Sequence, residues 1–198
     1  MNKTDDNIER HPLQPFMPPN ARLLMLGSFP PPRYRWSMDF FYPNRNNQMW
    51  EMMGLIFYHD AQRLIDSSHR TFREDDIRQM LIERGIAIFD SATAVRRQKH
   101  NASDMLLDVV EPTDIPELLS HLPLCHDIAC TGQKSATIIC DTYHQHIPPL
   151  GEHITFTIEG RTIRLHRVPS TSRAYPMPLE EKATYYRQML SLSGILSE

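Results

Sequence analysis

Short unbroken apolar runs alternate along this chain with stretches whose apolar residues recur every three or four positions. "RLLMLG", residues 22–27, is an apolar run that stops at a glycine, as a strand buried on both faces of a parallel sheet does. "IAIFD" (86–90) and "DIACT" (127–131) have the same character. Helical patterns lie between them. In "NQMWEMMGLIF", Met49, Trp50, Met53, Ile56 and Phe57 fall at helical spacing. "EDDIRQMLIERG" opens on acids, carries Ile77, Met80 and Leu81 on one face and reaches a stop signal at Gly85. "TDIPELLSHL" predicts a short helix capped by Thr113 or Asp114, and "GQKSATIICDTYHQH" a longer one. "HITFTIEGRTIRLHRV" alternates on either side of Glu159-Gly160, which predicts a hairpin. "LEEKATYYRQMLSLSG" follows Pro178 and opens on acids, predicting a last helix.

This alternation predicts an open, mostly parallel α/β sheet with helices on both faces. Ligands bind such sheets beyond the carboxyl ends of the strands. The loops after Leu26, Phe89, Thr131 and Val168 are therefore where chemistry is expected. A chain of 198 residues, 40% hydrophobic, suits one domain with a sizeable core. Residues 1–20 are polar and proline-rich and are expected as an extended arm ahead of a single domain over 21–198. The arm lacks the apolar core of a secretory signal, and no run is long enough for a membrane span, so a cytoplasmic protein is expected. The three cysteines, Cys125, Cys130 and Cys140, are odd in number and form no C-x-x-C pair. They read as buried thiols rather than a zinc knuckle or a disulfide framework.

One loop is longer and chemically richer than a turn requires. "LGSFPPPRYRWSMDFFYPNRNNQMWEMMG", residues 26–54, sets three prolines, paired aromatics, arginines and three asparagines ahead of the first helix. Asn46 or Asn47 is placed to cap that helix.

Four segments together carry a resemblance: "GSFPP" after the first strand, "GIAIFDSATAV", "CTGQKSA" and "VPSTSRA". In order and spacing they resemble the uracil-DNA glycosylase superfamily, closest to its hypoxanthine-DNA glycosylase and mismatch-specific uracil glycosylase branch, over about residues 23–186. The resemblance implies an α/β three-layer αβα sandwich around a central four-stranded, mainly parallel sheet. It implies a monofunctional hydrolase that flips a deaminated base, hypoxanthine or uracil, out of DNA and cuts its N-glycosidic bond in base-excision repair. It implies no metal and no diffusible cofactor, DNA as partner, a monomer, and in a bacterium a nucleoid-associated protein.

That chemistry explains the residue types. The bond breaks through an oxocarbenium-like sugar. A side chain must position water, hydrogen bonds must hold the departing base, and an aromatic face must receive it. Family members carry Asp or Asn at the third position of the first motif, where this chain has Phe29. The branch that lacks that residue implies Asn47 as the working carboxamide, with Asn44 and Asn46 as competitors. Ser28 and Phe29 fall at the base pocket, and Phe41 and Tyr42 are candidates for stacking on the base or for ordinary core packing. Asp90 falls where a base-reading Asn closes a similar strand. As a carboxylate it accepts from a ring N–H, and when protonated it also donates to a carbonyl; alternatively it caps a turn. Val168 takes the place of the usual His or Asn before the second-motif proline. Ser170, Thr171 and Ser172 then offer hydroxyls and backbone N–H groups to phosphates, or simply form a turn. Arg173 can meet a phosphate or fill the gap left by the flipped base, and Lys134, after Gly132, can reach another phosphate. An idle nucleic-acid-binding relative and a glycosylase for another damaged base are the rival readings.

The net charge of −3 advertises no polyanion partner by itself. Two local basic runs do: Arg161, Arg164, His166, Arg167 and Arg173, and Arg96, Arg97, Lys99 and His100. Both are expected beside strand ends, as a cationic face or as ordinary solvated runs.

Overall fold

The computed structural model describes residues 8–97 and 107–196. Five segments form the central sheet. β2 (Leu23–Gly27), β5 (Ile86–Asp90) and β8 (Asp127–Thr131) are buried along their whole length, as their unbroken apolar runs require. β10 (Arg161–Val168) runs parallel to β8, and β9 (His153–Ile158) returns antiparallel to β10. The order is β5-β2-β8-β10-β9. Four strands are thus parallel, and the hairpin adds a fifth, antiparallel one at the edge. The four-stranded expectation omitted that strand. Its turn residues, Glu159 and Gly160, both adopt positive φ, as a tight two-residue hairpin turn demands.

Among the described residues, five α-helices flank the sheet: α1 (Met49–Tyr58), α2 (Glu74–Arg84), α3 (Ile115–Ser120), α4 (Gln133–Thr142) and α5 (Leu179–Leu192). α2 ends at Gly85, whose φ of +67° closes the helix with a left-handed cap. Asp114, rather than Thr113, caps α3 by accepting from Glu117 N–H at 3.0 Å. α4 stops at Thr142, four residues short of the sequence expectation. α1 packs on α5, and α4 packs on β8. All three cysteines are buried and unpaired, and burial pushes the Cys125 and Cys130 thiols up to about 12.

Two small sheets escaped the sequence reading. β1 (Ile8–Arg10), β6 (Ala92–Arg97) and β7 (Leu107–Pro112) form an antiparallel sheet, and β3 (Ile65–Asp66) pairs with β4 (Thr71–Phe72). The described part of the N-terminal arm therefore lies on the domain. β1 pairs with β6, Phe16 exchanges backbone hydrogen bonds with Ile88, and Leu13, Phe16 and Met17 pack against the core.

The carboxyl ends of the parallel strands are Gly27, Asp90, Thr131 and Val168. Leaving β2, the chain crosses to β5 on one side and later to β8 on the other. That reversal opens a crevice between β2 and β8, where a doubly wound sheet binds ligands.

Candidate functional site

A cavity of about 800 Å³ lies at this crevice. Its wall is built from the loop after β2, the asparagine-rich segment before α1, the ends of β5 and β8, and the loop after β10. Ser28, Phe29, Phe41, Tyr42, Asn44, Asn47, Asp90, Ser170, Thr171, Ser172 and Arg173 all line it, although their positions span 146 residues of sequence. Lys134 stands in the first turn of α4, off this wall.

Asp90 sits at the floor, 7% exposed. Its Oδ2 lies 2.8 Å from His11 Nε2. The His11 ring is held from its other side, where Nδ1 accepts from Leu13 N–H at 3.2 Å and lies 3.0 Å from Leu13 O. Phe29, Phe41 and Phe89 surround that ring, with centroids 5.4, 6.2 and 4.6 Å away. In the tautomer that accepts at Nδ1 the proton sits on Nε2, where it points at the carboxylate. The other carboxylate oxygen lies over Gly27, where an added Cβ would come within 2.1 Å of Oδ1. Gly27 is therefore required by close approach, not by an unusual φ. Asp90 thus meets a histidine and a bare Cα.

Tyr42 adopts φ 50°, which a non-glycine residue holds only when its surroundings demand it. Its hydroxyl lies 2.8 Å from Thr131 Oγ1, and its ring stands edge-on to Trp50 at 6.0 Å. Thr131 and Ser135 both donate to Leu26 O, at 3.1 and 2.9 Å, which stiffens the end of β2. Phe41 is a core residue that also reaches the cavity: it is buried, with Phe40 and Phe89 rings 5.1 and 6.1 Å away. Stacking and packing are thus both open to it.

The asparagines hold turns. Asn44 Oδ1 accepts from Asn46 N–H at 2.9 Å, and Asn47 Oδ1 accepts from Met49 N–H at 2.9 Å at the start of α1. A carboxamide oxygen has two lone pairs, so the capping bond leaves Asn47 one acceptor site and its NH2 group. In the facing loop, Ser170 Oγ accepts from Ser172 N–H, Ser172 Oγ accepts from Ala174 N–H, and Thr171 is buried. The Ser/Thr run is therefore a turn first.

The two loops are stitched together. Gln48 N–H donates to Thr171 O at 2.8 Å, and Arg173 N–H donates to Asn46 O at 3.2 Å. Beneath them lies Lys182 of α5, 0% exposed, whose Nζ donates to Gln48 Oε1 at 3.0 Å and to Ser172 O at 2.8 Å. Burial, with Arg173 nearby, lowers its pKa.

The expected cationic runs are largely engaged elsewhere. Arg161 lies at the amino end of β10, away from the cavity, and donates to the carbonyls of Leu119, Leu122 and Cys125 after α3. Arg164 and His166 hold Asp127, at 2.9 and 2.7 Å, and their hydrogen bonds keep its carboxyl below the usual range against the opposing effect of burial. Arg167 donates to Pro148 O. Arg173 pairs with Glu51 at 2.6 Å. Arg97 is buried between Glu9 and Pro30 O, and Arg96 lies 3.6 Å from Asp108. Lys99 and His100 lie outside the described residues.

Two site residues had no place in the sequence reading. His11 belongs to a segment with no periodicity, and nothing in sequence joins it to Asp90. Lys182 did leave a signal, because it shares one helical stripe with Tyr186, Met189 and Leu190.

No protein-family model and no curated protein matches this chain. Among solved structures it is similar to the solution NMR structure of a "putative uracil DNA glycosylase" from Methanosarcina acetivorans. The two share 18% identity over 91% of this chain and 98% of the other, with a TM-score of 0.57. The fold is accordingly uracil-DNA glycosylase-like, a parallel-rich sheet flanked by helices.

Proposed function

We propose that this protein is a DNA glycosylase that flips a deaminated base, hypoxanthine or uracil, into the cavity and hydrolyses its N-glycosidic bond. The observation that carries this reading is the convergence, at the switch point of the sheet, of a buried carboxylate, three carboxamides and four aromatic side chains on one cavity. The fold shared with the Methanosarcina protein supports it.

In this reading the base enters between Phe29, Phe41 and Tyr42. Asp90 faces its hydrogen-bonding edge and accepts from the ring N–H that uracil and hypoxanthine both carry. Asn47 orients the attacking water with the lone pair and NH2 group that its cap leaves over. As the bond to the base lengthens, negative charge gathers on the base and positive charge on the sugar, so the hydrogen bonds that hold the base must strengthen as it departs. Water then adds to the sugar, leaving an abasic site and the free base. The chemistry needs no cofactor. On this reading the chain stands nearest the hypoxanthine and mismatch-specific branch and acts as a monomer in base-excision repair.

Phe29 at the first motif and the engagement of Asn47 in a cap favour one rival, a DNA-binding relative without activity. Duplexes holding a single uracil, hypoxanthine or xanthine decide between them. Alkali-sensitive strand breaks at one lesion are the expected result. Binding to these duplexes with no break at any lesion would leave the idle reading in place.

A further inference from the structure

Tyr34 is the most exposed large apolar side chain among the described residues, at 74%. It rides a single helical turn, Arg33–Arg35, directly after three prolines. That turn is rigidly anchored. Trp36 Nε1–H donates to Pro31 O at 2.7 Å, and Arg33 both pairs with Asp39 and lies 4.3 Å over the Trp36 ring. Arg97 donates to Pro30 O at 2.9 Å from below. Pro30, Pro31 and Arg35 line the cavity, so Tyr34 projects from the rim, one residue from the wall. Arg35 stands 5.7 Å from the Tyr34 ring and has no carboxylate partner among the described residues.

A ring fixed beside a base pocket and flanked by cations suits one occupant, the base stack of duplex DNA. Aromatic side chains stack on any base, apolar wedges open base steps, and Arg35, on the cavity wall, is placed to meet a flanking phosphate. We propose that Tyr34 is the wedge that enters the duplex beside the flipped nucleotide and fills its place in the stack. The inference rests on the glycosylase reading. It assigns the gap-filling role to the loop after β2, whereas Arg173, the candidate from the sequence, is tied to Glu51.

The test uses a duplex with a hydrolysis-resistant 2′-fluorinated deoxyuridine or deoxyinosine and 2-aminopurine as its neighbour, whose fluorescence rises on unstacking. Single-turnover excision from cleavable duplex and single-stranded substrates accompanies it. Wild type and Tyr34→Phe should raise the fluorescence, and Tyr34→Ala should lose most of the rise. Tyr34→Ala should also slow excision from duplex by about tenfold, with single-stranded excision unchanged. The wedge is overturned if Tyr34→Ala unstacks the duplex as well as wild type does, if it slows both substrates equally, or if wild type causes no rise. Unstacking through Tyr34 without excision from any substrate would remove the glycosylase reading and leave the wedge standing.

Discussion

Gly27 and Asp90 show how one atom's room decides a site. The Asp90 carboxylate occupies the space that a side chain at 27 would fill, and His11 keeps it there. Gly27→Ala should therefore push the carboxylate off His11, and His11→Ala should leave a buried acceptor without its donor. Each should lower stability by about 1–3 kcal/mol in urea unfolding. Unchanged unfolding midpoints for both would mean that water replaces the histidine. Asp90→Asn keeps the shape but adds a fixed donor, so the ranking of uracil, hypoxanthine and xanthine duplexes should change. An identical ranking at similar rates would show that Asp90 does not read the base. Asn47→Ala separates its two duties. Loss of the capping bond alone should cost about 1 kcal/mol and little rate. Loss of a water-positioning group should lower single-turnover excision by orders of magnitude while DNA binding persists. Full activity in a less stable variant would transfer the role to Asn44.

Elements were more legible than the contacts between them. Each strand of the central sheet and each flanking helix has its own period or its own cap residue, so local sequence identifies it. The small sheet of β1, β6 and β7 does not announce itself, because β6 mixes buried alanines with arginines whose charges are met by Glu9 and Asp108 of other strands or the N-terminal arm. The same reason hid His11. For the site, motif spacing located the walls, since strand ends are local features. It did not show that Asn44, Asn47, Ser170 and Ser172 hold turns, which depends on backbone geometry. Lys182 joins these scales, because one side chain of α5 fixes two loops of the site. Lys182→Met should remove donors from Gln48 and Ser172, cost about 1–3 kcal/mol, and speed hydrogen exchange at Gln48 and Arg173. The pH dependence has a definite sign. A lysine whose pKa is lowered on folding binds fewer protons in the folded state than in the unfolded one. Stability then rises as pH climbs from the folded toward the unfolded lysine value. The advantage of wild type over Lys182→Met should accordingly grow toward alkaline pH. An advantage that shrinks there would show that the cation itself stabilises the fold.

At the scale of the molecule, charge sets the terms of any contact with DNA. The chain carries a net −3, and most of the arginines that promised a cationic face are bound to its own carboxylates and carbonyls. Of the cations argued for phosphates, Arg35 and Arg173 line the cavity and Lys134 stands off its wall in the first turn of α4, and Arg173 must leave Glu51 to face a phosphate. Each phosphate neutralised contributes about −0.9 to the slope of log affinity against log salt. Three contacts predict a slope of about −3, a shallow dependence for a DNA-binding protein. On the proposed reading, recognition rests on the flipped base and the stacked ring more than on the backbone, so a duplex with a lesion should bind much better than one without. Titrations of both duplexes between about 50 and 200 mM salt measure slope and preference together. A slope near −3 with clear lesion preference is expected. A slope steeper than about −6 with equal affinity for both duplexes would mean that the internal ion pairs open on binding and that the backbone carries the complex.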